Sequence, residues 1–310
     1  MRVIEREAIR AALDFPSLVD AIEAAHRRPK IEIAERMMDA GGGAQYFVRH
    51  AVDAGRYLCS KLITIFPDNP GRGPLPAVQA SCVLFDGTDG RPLALIDGTE
   101  VTYWRTAADS ALGSRLLSRP DAATLLVVGA GAMSGGLARA HRSVRPSLTR
   151  VLVWNRGAAR ADALVAELRA EGMAAERVDD LDAAVARADV VTACTRSDAP
   201  LVKGALLRPG AHLDLVGGYT PETREADDAA ARRSRVFVDR RESAFAGVGD
   251  IAGPIASGAI AAGDVLGDLY DLVGGAVPGR RSPEEITFYK NAGGGHFDLI
   301  ACETVLRLTA

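Results

Sequence analysis

Residues 124–156 read TLLVVGAGAMSGGLARAHRSVRPSLTRVLVWNR. An apolar run, Leu125 to Val128, stops at Gly129-Ala130-Gly131. A helix-length segment follows, Ala132 to Val144, and then a second apolar run, Val151 to Trp154. Strand, glycine turn, helix and strand in this order form the unit that binds a dinucleotide. Gly129 permits the tight turn, and Gly131 lets backbone approach a pyrophosphate whose charge rests on the N-terminus of the helix. Ala132 and Met133 complete the turn. Ser134 stands where the third glycine of the fingerprint is usual, and it is small enough for close helix–strand packing. A glycine turn of an α/β protein that binds no nucleotide is the plain alternative.

The end of the second apolar run bears on cofactor choice. A binder of NAD usually carries Asp or Glu about 20 residues past the glycines, where it holds the ribose 2′-hydroxyl. Asn155-Arg156 stands here instead. With no carboxylate and an available guanidinium, the pair suits a 2′-phosphate, so the expected cofactor is NADP or NAD with NADP preferred. A solvated arginine at a helix start is the alternative for Arg156.

Working outward, strands continue to alternate with helices after Arg156. Helices are expected over 158–170 and 181–187, and strands over 189–194, 211–216 and 235–238. That alternation predicts a Rossmann domain with a doubly wound parallel sheet. The loops after Val128, Trp154, Cys194 and Val216 should line its cofactor crevice, which brings in Thr195, Val216 and Gly217. Gly217 and Gly218 would admit a nicotinamide close to backbone, or only make a turn.

Before this domain the texture differs. Residues 6–28 are helical with a break at Pro16-Ser17. Strands are expected over 45–48, 57–65, 78–85 and 93–96, separated by glycine-rich turns, and a long helix over 101–117. A strand over 286–289, a glycine turn at 293–295 and a helix over 297–308 close the sequence. The fold class is therefore α/β, with an α+β substrate and dimerisation domain formed by both chain ends (1–120 plus 284–310) and an NAD(P)-binding domain at 121–283.

The 310 residues carry a net charge of −3, and 48% are hydrophobic. Neither a basic block nor an apolar run of ~18 residues is present, so nucleic acid and membranes are not expected partners. The segment MRVIEREAIRAAL lacks a secretory core, and the four cysteines are scattered. Buried free thiols in a reducing cytoplasm and no bound metal are the expectation. The five histidines share no spacing that suggests a metal ligand set or a general base.

Several segments together resemble the ornithine cyclodeaminase/mu-crystallin family. They are Lys61-Leu62-Ile63, Leu84-Phe85-Asp86, Leu95-Ile96-Asp97-Gly98, Arg105-Thr106-Ala107-Ala108, GAGAM, WNR, LRPGAHLDLVGG ending at Gly218, and TFYKNAGGG over 287–295. The similarity spans roughly residues 45–305. RTAA followed by the glycine turn is its more specific part. The resemblance implies homodimerisation through substrate domains, and a family whose members include cyclodeaminases, ketimine reductases and amino-acid dehydrogenases.

Arg105 is the leading substrate residue. A fixed guanidinium grips an α-carboxylate with two bonds, and the resemblance assigns Arg105 that role. Lys61 lies in the apolar run YLCSKLITIF. Burial there would lower its pKa and suit it to proton exchange with an amine or imine nitrogen, where the resemblance also places it. An edge-strand lysine that blocks aggregation is the alternative. Arg36 matches a second carboxylate-binding arginine, with Arg49 competing for the role. Gln79 would lean over the substrate or sit on a strand surface. Thr106 would cap its helix, contact substrate, or do both. The resemblance brings Lys290 and Gly293 to the nicotinamide, and Asp298 would orient a neighbouring group.

After Gly218, ornithine cyclodeaminases carry an aspartate that serves ring closure. Tyr219 stands there and cannot act as a carboxylate base. The favoured expectation is therefore an NAD(P)-dependent oxidoreductase exchanging hydride with C2 of a small α-imino or α-amino acid, with Tyr219 lining the substrate pocket. A true cyclodeaminase and a non-catalytic binding protein are the alternatives.

Overall fold

A computed structural model describes residues 1–309 and divides the chain into two compact units, 1–106 with 294–310 and 107–293. In the first unit, β1 (Arg2–Ile4), α1 (Arg6–Ala12) and α2 (Phe15–His26) precede β2 (Glu32–Gly41), β3 (Ala44–Asp53) and β4 (Tyr57–Ile65). A short α3 (Asn69–Arg72) leads to β5 (Val78–Asp86), β6 (Pro92–Asp97) and α4 (Gly98–Leu117), which crosses into the second unit. The helical break expected at Pro16-Ser17 lies at Leu13-Asp14, where the Asp14 carboxylate caps α2 by accepting from Ser17 N at 2.8 Å.

The strands form a six-stranded sheet in the order β1-β6-β5-β4-β3-β2, antiparallel except for β1 against β6. Side chains alternate between its faces, so β4 buries Cys59, Lys61 and Ile63. Cross-strand register places Glu35, Arg49, Lys61 and Cys82 in one row on that face. The last helix of the chain, α12 below, covers it. Phe297, Leu299, Ile300 and Val305 of that helix are buried, each stabilising the packing by roughly 1.5–3 kcal/mol.

The second unit begins inside α4. Its elements are β7 (Thr124–Val128), α5 (Ser134–Val144), β8 (Arg150–Trp154), α6 (Ala158–Ala170), β9 (Ala174–Arg177), α7 (Leu181–Arg187), β10 (Val190–Ala193) and β11 (His212–Leu215). Then come α8 (Asp228–Arg232), β12 (Ser234–Val238), α9 (Arg241–Ala244), α10 (Gly249–Ala256), β13 (Val265–Gly267), α11 (Leu269–Val273) and β14 (Ile286–Lys290), after which α12 (Gly295–Leu308) returns to the first unit. All eight strands are parallel, in the order β13-β12-β14-β11-β10-β7-β8-β9. The chain reverses direction between β7 and β10, the switch point at which α/β sheets bind ligands.

The expected domain limits need correction. The strand near 286 lies between β11 and β12 of the parallel sheet and not in the first unit. Its five buried residues, ITFYK, are those of a strand covered on both faces. The first boundary falls at Ala107, within α4, because that helix is buried on all sides from Arg105 to Ser114. Gly113 shows how tight the packing is. A Cβ there would stand 2.7 Å from the Tyr289 ring.

Candidate active site

In the first unit a cationic set surrounds one carboxylate. Lys61, 1% exposed, directs Nζ to Asp298 Oδ1 at 2.8 Å and to the Thr102 hydroxyl at 2.5 Å. Arg105, 6% exposed, brings Nε within 3.3 Å of the same Asp298 oxygen. Arg49 Nη1 stands 4.0 Å from Asp298 Oδ2, and its Nε lies 3.3 Å from Glu35. Burial alone would push the Asp298 carboxyl up, yet the charges of Lys61, Arg105 and Arg49 hold it below the ordinary carboxylate range. Local folding explains the convergence. Lys61 comes from the inward row of β4, Thr102 and Arg105 are three apart on one face of α4, and Asp298 is in the first turn of α12. Lys61 was expected among apolar neighbours. It is buried as expected, but as half of an ion pair.

Other expected substrate residues lie elsewhere. Arg36 pairs with Val48 and Leu62 in register, one residue out of step with the Lys61 row, so it projects from the opposite face of the sheet and is exposed. Arg49, the competing candidate, stands beside Glu35 and Asp298. Gln79 is three residues from Cys82, the register partner of Lys61, and also points to the opposite face. There it borders a surface hollow of about 710 Å³ with Tyr46, Leu62, Thr64 and Ser81. Thr106 is buried in the interior of α4 and is not its cap. Asp97 accepts from Glu100 N at 2.9 Å at that helix start. Arg105 likewise sits beyond the first turn of α4, not at its start.

In the second unit the glycine turn follows β7. Gly129 has φ +107°, and a Cβ on it would stand 2.8 Å from the carbonyl oxygen of Cys194, so the loops after β7 and β10 touch at the switch point. A Cβ on Gly131 would meet nothing within 4 Å. Gly131 and Ala132 are exposed and border a cavity of about 420 Å³ that also takes in Gly135, Arg139 and Arg160. Ser134 contributes more than small size, since its hydroxyl accepts from Gly131 N at 3.0 Å. The Asn155 side chain braces the turn by accepting from Ala130 N at 3.1 Å, whereas Arg156 is exposed. An open, cation-flanked turn at the start of α5, whose N-cap is Met133, fits a dinucleotide pyrophosphate.

The remaining expected cofactor residues, Thr195, Val216 and Gly217, are organised by Glu225. It is fully buried. Its two carboxylate oxygens accept from Thr195 N and Oγ1, Val216 N and Gly217 N at 2.5–2.9 Å. Burial pushes the Glu225 carboxyl up to about 7, opposed by Lys290 and assisted by Asp250. Gly217 is needed for this packing, because a Cβ there would overlap Thr195 O at 1.8 Å. Lys290, expected at the cofactor, is instead fully buried with Nζ 3.1 Å from Asp250. Gly293, with φ +78°, donates its N–H to Asp239. Tyr219 is 55% exposed in the turn after Gly218. His212 is pushed down to about 3 by burial, as suits a strand residue.

One further grouping was invisible in the spacing. Cys59, Cys82 and Cys302 converge on the inward face of the six-stranded sheet with their sulfurs within 4.8 Å of one another. Thr102 and Glu35 were also missed. Thr102 was legible as the helical neighbour of Arg105, and Glu35 required β2 to be recognised. No helix among the described residues is long and apolar enough to cross a membrane.

The chain matches the ornithine cyclodeaminase/mu-crystallin family over residues 18–306. It is 42% identical over 300 residues to a Delta(1)-pyrroline-2-carboxylate reductase of Paracoccus denitrificans, covering 96% of this chain and 94% of that protein. Among solved structures it resembles the Delta(1)-pyrroline-2-carboxylate reductase of Thermococcus litoralis in complex with NADH and L-proline. The TM-score is 0.93 at 26% identity, over 99% of this chain and 97% of that one. An archaeal alanine dehydrogenase dimer with bound NAD gives a TM-score of 0.92 at 25% identity, over 99% and 95%. Sequence match, whole-chain similarity and fold agree: the protein belongs to the ornithine cyclodeaminase/mu-crystallin family.

Proposed function

We propose that this enzyme reduces a cyclic α-imino acid bearing a single carboxylate, of the Delta(1)-pyrroline-2-carboxylate type, to the corresponding α-amino acid. The carrying observation is the buried set around Asp298. Among the buried groups Lys61 and Arg105 supply two positive charges and Asp298 one negative one, while Arg49 and Glu35 pair with each other at the more exposed rim. The surplus of one matches one substrate carboxylate. A dicarboxylate would leave an unpaired buried negative charge.

Arg105 grips the substrate carboxylate through its planar fork. Lys61, oriented by Asp298 and Thr102, donates a hydrogen bond to the imine nitrogen and delivers its proton as that nitrogen becomes an amine. The cations draw electron density from the C=N bond and make C2 the electrophile, so no protein nucleophile is needed. When bound, the nicotinamide supplies the hydride that C2 accepts. Gly129, Gly131, Ala132 and Met133 would hold its pyrophosphate. Glu225 fixes the loops of Thr195, Val216 and Gly217 beside that turn. The exposed Tyr219, in place of a carboxylate, favours simple reduction over ring closure with loss of ammonia.

NADP is the preferred cofactor in this reading. Between Asn155 and Arg160 there is no acid to hold a ribose 2′-hydroxyl, and Arg156 and Arg160 are both exposed. The protein acts as a homodimer in the cytoplasm. The archaeal dimer among its structural relatives supports the first, and buried free thiols support the second.

The test follows nicotinamide absorbance with the cyclic imino acid and NADPH or NADH, beside a parallel sample with ornithine and catalytic NAD. Stoichiometric consumption of NADPH with formation of the cyclic amino acid is expected. Proline formed from ornithine without net cofactor use would overturn the proposal.

A further inference from the structure

Cys59 on β4, Cys82 on β5 and Cys302 on α12 come from three elements, yet their sulfurs meet. We infer that Cys59, Cys82 and Cys302 form a binding site for a thiophilic divalent d10 cation, and that filling it disables Lys61. The metal site uses residues other than those assigned to the substrate, whereas its effect on Lys61 rests on that assignment.

The geometry suits three-coordinate thiolate. At metal–sulfur bonds of about 2.3 Å, a trigonal site needs sulfurs about 4 Å apart, within the 4.8 Å observed. Three sulfurs without oxygen or nitrogen donors select soft cations over magnesium or calcium. The surroundings supply the charge. Binding exchanges the protons that the three sulfurs still carry for the metal ion and gives [M(SR)₃]⁻, with no redox change. The negative charge of the filled site lies beside Lys61, the cross-strand register partner of Cys82. A bound metal and a substrate carboxylate therefore draw on the same positive charge.

The site is also mechanically linked to the reaction centre. Cys82 is the direct register partner of Lys61, Cys59 is two residues before it on the same face, and Cys302 is one turn after Asp298. Drawing three sulfurs onto one cation moves both elements that hold the Lys61–Asp298 pair. All three cysteines are buried, so uptake requires local opening and is slow.

The probe is Cd(II) added to the reduced, full-length protein. One cadmium per chain is expected, with a thiolate-to-metal ultraviolet charge-transfer band and release of protons in weakly buffered solution. Turnover should fall in step with the band while NADPH fluorescence still reports binding. Cys82→Ala and Cys302→Ala should lose the band, and Cys194→Ala should keep it. A stoichiometry below one cadmium per chain in the unaltered protein would overturn the inference without recourse to variants. So would a missing band, or a band that survives in Cys302→Ala.

Discussion

Replacing Asp298 by Asn removes one buried charge and little volume. Between unit charges 2.8 Å apart, at an effective dielectric constant of about 20, the lost attraction to Lys61 is about 6 kcal/mol. The carboxylate no longer has to be desolvated, which offsets several kcal/mol and leaves a net loss of about 3 kcal/mol, the lower end for a broken buried pair. If the same interaction holds Lys61 in its reacting position, kcat falls by about two orders of magnitude. The melting temperature should drop by about 6–12 °C. The sign of the binding effect is the discriminating part. Without Asp298 the positive surplus rises from one to two, so a carboxylate substrate should bind no more weakly and KM should not increase. Steady-state kinetics with the cyclic imino acid, beside calorimetric melts, would decide. A kcat within twofold of the unaltered enzyme, or a KM that rises as kcat falls, would refute the view that Asp298 is the internal counter-ion of Lys61.

Arg105→Lys keeps the charge but loses the fork, so KM for the imino acid should rise about 10- to 100-fold with a smaller change in kcat. Gly129→Ala forces φ +107° on an L side chain 2.8 Å from Cys194 O, and should weaken NADPH binding by about 1–3 kcal/mol in a fluorescence titration. Arg156→Glu should shift the ratio of KM values toward NADH; an unchanged ratio would remove Arg156 from cofactor selection. Glu225 has a folded pKa raised from 4.5 to about 7, so its contribution to stability is present below pH 4.5 and is lost as pH rises through 7. Melts of Glu225→Gln should show a flatter slope across that window than the unaltered protein.

What could be read in the sequence followed from how strongly each segment is patterned. The helix at 158–170 and the strands after β7 were legible because a parallel sheet covered on both faces leaves continuous apolar runs. β2 was not, since nearly all of its residues are exposed and no alternation marks it. The short strands β1, β9 and β13 are too brief to carry a period. Lys61 and Arg105 stood out as charges in apolar or small-residue runs. Which face Arg36 and Gln79 take was not legible because facing depends on strand register, and a shift of one residue reverses it. Glu225 gave no local sign of burial, because its four donors come from loops up to 30 residues away. The thiol cluster joins positions 59, 82 and 302, and such separations cannot be read from spacing.

The arrangement of α12 has a consequence for how the protein is made. The first unit is discontinuous, and Asp298 and Cys302 are synthesised only after the whole nucleotide unit. Until then the sheet face that buries Lys61 has neither its apolar cover nor its carboxylate. The continuous second unit can fold first, and α12 then closes the first unit through contacts about 240 residues apart in sequence, a slow class of step. Released chains truncated after residue 293 should therefore contain a folded, protease-resistant nucleotide unit while the first 106 residues remain digestible.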